Sequence, residues 1–289
     1  PKTIAQVAHS RLEEKALERS APSTGWPELD AIVKGFIPGH LYTMTGLSNI
    51  GKTAIATNFA VRIARQKHHV LYYALEPENT VVDYIASVRE DKRFDELTEA
   101  DITKDDPYIS IYGKEEVGSL SELLVSIREA PMRYGLAIID HIGYFIRKTE
   151  GFIQEQSNTI KELVGLAKEK RMAILLIAHL RKMNKEAKKS YVPKVDDIAG
   201  SAAFMQDSTE VFIISRKIDP NDPDAIKLSE EGSLYVMKTK AGPNGRTPLI
   251  FSKYSAFVAT PGLVAEEFRR NNPISRAAEQ KSPSASFQI

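Results

Sequence analysis

The chain has 289 residues, 42% of them apolar and 27% charged, and its 39 basic and 38 acidic side chains leave a net charge of +1. That length suits one large domain with appendages, and that charge balance excludes nucleic-acid binding by bulk charge, so any such contact must come from a local patch. With no cysteine, disulfide scaffolds, thiolate-held zinc, iron–sulfur clusters and thiol nucleophiles are excluded, and a reducing, cytoplasmic setting is the expectation.

The chain opens on Pro1 without Met, as a fragment or processed form would, and shows neither a signal-peptide core nor an apolar run of membrane-spanning length. Ile4, Ala8, Leu12 and Ala16 recur every four residues among Glu13, Glu14, Lys15 and Arg19, which predicts a helix with a thin apolar stripe. Such a helix is marginal alone and is expected to dock on something. The run Ala21-Pro22-Ser23-Thr24-Gly25 ends it. Trp26, Phe36 and Phe59 are expected in the core, Trp26 beneath the glycine loop that follows.

From residue 41 short apolar runs alternate with helical periods. Strands are expected at 41–45, 70–75, 109–112, 136–139, 173–178, 211–215 and 234–238, and helices at 53–66, 81–89, 120–127 and 154–170. Leu136-Ala137-Ile138-Ile139 and Ile174-Leu175-Leu176-Ile177 are apolar at successive positions, as in strands buried on both faces. The alternation predicts an α/β fold with a mostly parallel central sheet flanked by helices. Runs at 234–238, 249–251 and 257–258, joined by short turns, read as antiparallel edge strands. Residues 266–289 are polar with Pro and Ser, and disorder is expected there.

Gly46-Leu47-Ser48-Asn49-Ile50-Gly51-Lys52-Thr53, running on into Ala54, follows the first apolar strand and opens a helical period. G-x-x-x-x-G-K-T in that setting predicts a P-loop: glycines let main-chain N–H groups wrap a phosphate, and the helix dipole adds positive potential. Lys52 is expected to reach the β- and γ-phosphates of ATP, and Thr53 to ligate Mg²⁺. Asp140 ends the run 136–139, at the ligand edge of such a sheet, where it either holds Mg²⁺ or merely caps a turn. Glu76 ends the run 70–75 and reads equally as a base for the attacking water or as an ordinary helix-start acid. His179 ends the run 173–178, as a γ-phosphate contact or a structural strand-end residue.

These motifs stand in a longer series. Ser23-Thr24-Gly25-Trp26-Pro27-Glu28-Leu29-Asp30 and Gly35-Phe36-Ile37-Pro38-Gly39 precede the P-loop, and Ile138-Ile139-Asp140-His141-Ile142, Ala178-His179-Leu180, Asp197-Ile198, Gln206-Asp207 and Lys238-Thr239-Lys240-Ala241-Gly242-Pro243-Asn244-Gly245 follow it. The series resembles the RecA-like ATPase domain of DnaB-type replicative helicases, the ring helicases, over about residues 22–260. The resemblance implies an ATP-hydrolysing motor domain at 22–265, preceded by a linker helix at 1–21 that docks on a neighbouring subunit. It implies a ring, expected to be a hexamer, acting on single-stranded DNA, with a primase or a helicase loader as possible partners. It makes Glu76 the catalytic base, His179 the γ-phosphate sensor, and Gln206 a nucleotide-site residue coupling ATP state to the DNA loops. It also implies that Lys238 and Lys240 complete the neighbour's site in trans, where the family has K-x-R. The residue-level alternative is a basic hairpin, and Arg246 is a possible substitute.

Two departures stand out. Lysine at 240 keeps the finger's charge but lacks arginine's bidentate fork. The family's channel-loop arginine is missing from Asp197-Ile198-Ala199-Gly200-Ser201-Ala202. Arg181, Lys182, Lys185, Lys188, Lys189 and Lys194 against Glu186 leave a net +5 nearby, with Tyr191 among them to stack a base, and Arg147 and Lys148 lie on the loop after Asp140. These cations are DNA contacts or a solvated charged loop. The departures also admit a second reading, a RecA/KaiC-like ATPase switch or recombination and replication accessory that unwinds nothing.

Overall fold

The computed structural model describes residues 3–75, 77–131, 134–145, 152–179, 201–218 and 228–263. Helix α1 (Ile4–Arg19) starts at a capping box, where Thr3 Oγ1 accepts from the Gln6 N–H and Gln6 Oε1 accepts from the Thr3 N–H. Its apolar stripe is left in solvent: Ile4 is 90% exposed and Leu12 61%. Helix α2 (Pro27–Val33) follows, with Pro27 in its first turn, and leads into β1 (Leu41–Gly46) and α3 (Lys52–Arg65). Then come β2 (His69–Ala74), α4 (Glu78–Glu90), α5 (Glu99–Ile102), β3 (Ile109–Tyr112), α6 (Leu120–Glu129) and β4 (Tyr134–Asp140). The order closes with α7 (Phe152–Lys170), β5 (Ala173–His179), α8 (Ser201–Asp207), β6 (Glu210–Ile218), β7 (Leu228–Lys238), β8 (Gly245–Phe251) and β9 (Val258–Ala259).

Among the described residues one nine-stranded sheet runs β3-β2-β4-β5-β1-β6-β7-β8-β9. β3 through β6 in that order pair in parallel, and β6 to β9 pair antiparallel. Two cores result, one on each face. Trp26, Leu29, Phe59, Ile63 and Ile85 bring α2, α3 and α4 onto one face with Tyr72, Ile138 and Phe212. Leu123, Ile127, Leu163 and Phe204 bring α6, α7 and α8 onto the other with Tyr73, Ile139 and Leu176. Trp26 is fully buried against Phe59, with ring centroids 4.7 Å apart, so the segment before α2 packs on the helix that the glycine loop opens. Among the described residues no helix is long and apolar enough to cross a membrane.

The strand and helix expectations match the structure to within a few residues, except at α2, α8, β6 and β7 and at the unexpected four-residue α5. α2 and α8, of seven residues each, are too short to show a helical period. β6 and β7 extend beyond the apolar runs, to Ile218 and back to Leu228, because Arg216 and Ile218 pair with Gly232 and Leu228. That stretch of β7 reads Leu-Ser-Glu-Glu-Gly, so backbone pairing makes it a strand where no apolar pattern announces one. The expected tail at 266–289 lies outside the described residues.

Candidate nucleotide-binding site

β1 is buried along its whole length, and its last residue, Gly46, starts the loop that ends at α3. A Cβ on Gly46 would stand 2.8 Å from Ile50 Cγ2. Gly51 has φ +106°, a region L side chains rarely adopt, and a Cβ there would stand 2.7 Å from the Phe251 ring. The loop therefore closes on the Ile50 side chain and against Phe251 of β8, and α3 begins at the cleft, where a helix N-terminus leaves N–H groups without intrahelical partners. Lys52, 7% exposed, donates its ammonium to the carbonyl oxygens of Leu47 (2.8 Å) and Gly46 (3.3 Å).

Ser48, Asn49, Gly51, Lys52, Thr53 and Ala54 line one side of a cleft of about 330 Å³. Pro77 before α4 and Thr80, Val81 and Tyr84 on its first two turns line another, and Asp140 at the end of β4 with His141 just after it complete it. Parallel order places β1, β4 and the end of β2 with their carboxyl ends at this edge, the usual ligand edge of an open α/β sheet. Asp140 is 2% exposed, and Tyr72 donates its hydroxyl to Asp140 Oδ2 at 3.0 Å.

The expected site residues divide into three groups. Ser48, Asn49, Gly51, Lys52, Thr53, Ala54 and Asp140 share the cleft; Gly46, Leu47 and Ile50 shape the loop behind it, Gly46 and Leu47 through the carbonyls that receive Lys52. Glu76 lies outside the described residues; Leu75 before it donates its N–H to the Asp140 carbonyl at 2.7 Å, and Pro77 after it lines the cleft. His179 is the register partner of Gly46 in the β1–β5 ladder, which fixes its backbone beside the start of the loop.

The second group stands elsewhere. Gln206 is exposed at the end of α8 and is not among the residues lining the cleft, and neither lysine of the expected trans pair lines it. Lys238, at the end of β7, donates to the carbonyls of Met205 (2.5 Å) and Gln206 (3.1 Å); burial and the neighbouring Lys240 hold its pKa below the usual lysine value. Lys240 is exposed, and Arg246 donates Nε–H to Ser233 Oγ at 2.9 Å with its guanidinium over Tyr235. The third group, Arg147, Lys148, Arg181, Lys182, Lys185, Lys188 and Lys189, lies outside the described residues, as do Tyr191 and Lys194.

Three site features went unread in the sequence. Thr80 and Tyr84 reach the cleft because α4 begins beside it. Arg216 of β6 donates to the Ser229 carbonyl and to the Ile50 carbonyl of the loop (3.4 Å), and lies 4.1 Å over Phe251. Burial lowers its pKa to about 10, with Glu230 opposing. Tyr72 bonds the Asp140 carboxylate. The only sequence signals were a charge directly after the apolar run of β6 and phenols inside the apolar run of β2.

The donor set suits Mg²⁺ arriving with a nucleotide. Among the described residues no three His, Cys, Asp or Glu stand together as a metal cluster, whereas Thr53 and Asp140 share the cleft. One hydroxyl and one carboxylate are what Mg²⁺ asks of a protein when phosphates and water supply its other ligands.

A mostly parallel sheet whose first strand turns through a glycine loop into a helix, with a buried aspartate at the tip of a neighbouring strand, defines a RecA-like P-loop domain. Within that class the chain belongs to the DnaB-like helicase C-terminal domain family, whose model matches residues 22–259. It is 27% identical over 266 residues to the replicative DNA helicase DnaB of Mycoplasma genitalium, covering 83% of this chain and 56% of that protein. The chain thus spans about half the length of the curated relatives it matches. A DnaB-like replicative helicase solved for its interactions with primase matches in fold with TM-score 0.68 at 15% identity, over 83% of this chain and 63% of that one. A separately solved ATPase domain matches with TM-score 0.72 at 16% identity, over 90% of this chain and 99% of that one.

Proposed function

We propose that this domain is the ATP-hydrolysing motor of a cytoplasmic DNA helicase, working at subunit interfaces of a ring, expected to be a hexamer, to move along single-stranded DNA. The observation that carries it is the single cleft shared by the glycine loop, Lys52, Thr53 and Asp140, with the residues flanking Glu76 at its edge. Loop N–H groups and the α3 dipole receive the phosphates, and Lys52 exchanges its loop carbonyls for β- and γ-phosphate oxygens. Thr53 and Asp140 hold Mg²⁺, which when bound neutralises charge on the β- and γ-phosphates. Glu76 takes a proton from the attacking water. His179 senses the γ-phosphate from the strand next to the loop, and Gln206 relays that state from α8.

In this reading Lys238 and Lys240 act on the neighbour's nucleotide, and the DNA contacts come from Arg147, Lys148 and the cations at 181–189. The exposed apolar stripe of α1 supports docking on an adjacent subunit, since an isolated amphipathic helix of this length is marginal in water. Primase or a helicase loader are the further partners this reading admits. The lysine at 240 and the missing channel arginine favour the second reading, an ATPase switch without unwinding.

Turnover with and without single-stranded DNA separates the two. Stimulation of about tenfold, ~1.4 kcal/mol of barrier, is expected of the motor. Unstimulated turnover supports the switch, and absence of turnover defeats both.

A further inference from the structure

Tyr72 stands directly behind the buried aspartate of the cleft. In the β2–β4 ladder Tyr72 pairs with Ile138 and Ala74 with Asp140. Alternate residues of a strand share a face, so Tyr72 and Asp140 lie diagonally across two adjacent strands on the side that α3 covers. Adjacent strands stand about 4.8 Å apart and a parallel strand rises about 3.3 Å per residue, a diagonal that a long aromatic side chain bridges. The phenol does so here, with 3.0 Å between its oxygen and Asp140 Oδ2.

Tyr72 is fully buried, and the face around it is built from Val70, Ala74, Leu136 and Ile138. Phenylalanine would fill that space equally well. A buried hydroxyl is costly unless bonded, and a phenol has one proton to give. Here that proton goes to the carboxylate. A donor on a carboxylate restricts its rotation.

We propose that Tyr72 is a positioning residue for Mg²⁺: its hydroxyl holds the Asp140 carboxylate in one orientation at the cleft, so that the metal and its waters meet an acceptor already set. This rests on the ATP–Mg²⁺ reading above.

The test is binding of a fluorescent ADP analogue to the whole chain, titrated with Mg²⁺, in the wild type, Tyr72→Phe, Asp140→Asn and the double variant. Tyr72→Phe is expected to raise the Mg²⁺ half-saturation roughly three- to tenfold, the span one hydrogen bond is worth, with metal-free nucleotide affinity and unfolding temperature little changed. The double variant is expected to match Asp140→Asn alone, because the hydroxyl acts through that carboxylate. A Tyr72→Phe titration that overlays the wild type while Asp140→Asn shifts overturns the proposal. So does a full additional loss on top of Asp140→Asn. A loss shared equally by metal-free binding and unfolding temperature marks a packing role and overturns it too. If the wild type binds no nucleotide, or binds it without regard to Mg²⁺, the nucleotide reading itself has failed and this proposal falls with it.

Discussion

Lys238 donates its ammonium to the carbonyl oxygen of Met205, 2.5 Å away, and so ties the end of β7 to the last turn of α8. Helix C-termini leave carbonyls without intrahelical partners, and a cation there is favourable on both counts. The lysine proposed to act on a neighbour's nucleotide thus also caps a helix of its own chain. Lys240, two residues on, is exposed. Lys238→Met is expected to lower stability by about 0.5–1 kcal/mol, the worth of such a cap, read by thermal unfolding. Lys240→Ala is expected to leave the unfolding temperature unchanged and to lower turnover. Mixing Lys240→Ala with Glu76→Ala protomers should then restore part of the activity, and no restoration would rule out action in trans.

Lys52→Ala is expected to abolish nucleotide binding, and Glu76→Ala to retain binding and lose turnover. Equilibrium binding beside steady-state turnover separates the two effects. Normal hydrolysis by Glu76→Ala would overturn the base assignment.

Gly51→Ala places a methyl group 2.7 Å from the Phe251 ring at φ +106°. A loss of roughly 1–3 kcal/mol is expected, the range for a strained left-handed position, together with loss of nucleotide affinity. Denaturant titration and ligand binding measure the two.

Arg216 braces the same loop from β6, donating to the carbonyls of Ser229 and Ile50. Arg216→Met is expected to cost about 1.5–3 kcal/mol, the range for hydrogen bonds to a charged group. Arg216→Lys should recover only part of it, because an ammonium cannot reproduce the planar fork over Phe251. Equal unfolding midpoints for wild type and Arg216→Met would refute the brace.

Glu28 joins α2 to the turn after β9. Burial pushes its pKa up, but the Thr260 hydroxyl, its own backbone N–H and the Gly262 N–H together bring it below the ordinary glutamate value. A depressed carboxylate pKa contributes stability above the unfolded value, near 4.5, and loses it as pH falls through the folded value. Unfolding midpoints are therefore expected to drop below about pH 4.5 more steeply in the wild type than in Glu28→Gln.

The sheet was legible because its inner strands are apolar at successive positions, and the glycine loop because its phosphate-wrapping backbone demands Gly46 and Gly51 in a fixed spacing before Lys52 and Thr53. Asp140 was legible as a lone charge ending an apolar run. Short helices such as α2 and α8 were not, since seven residues hold too few turns to set a period. The polar half of β7 was hidden for another reason: its strand state comes from pairing with β6, not from burial of its side chains.

Local order alone thus determined which residues turn, which strands are buried twice over and where a phosphate loop must lie. Only the tertiary structure decided that Tyr72 reaches Asp140, that Arg216 backs Ile50 and that Lys238 caps α8. Each of those pairs is separated by many residues along the chain: the β2–β4 register brings Tyr72 to Asp140, and the packing of β6 and β7 against the loop and α8 brings the other two together. Register depends on the whole sheet, and no window of sequence contains it.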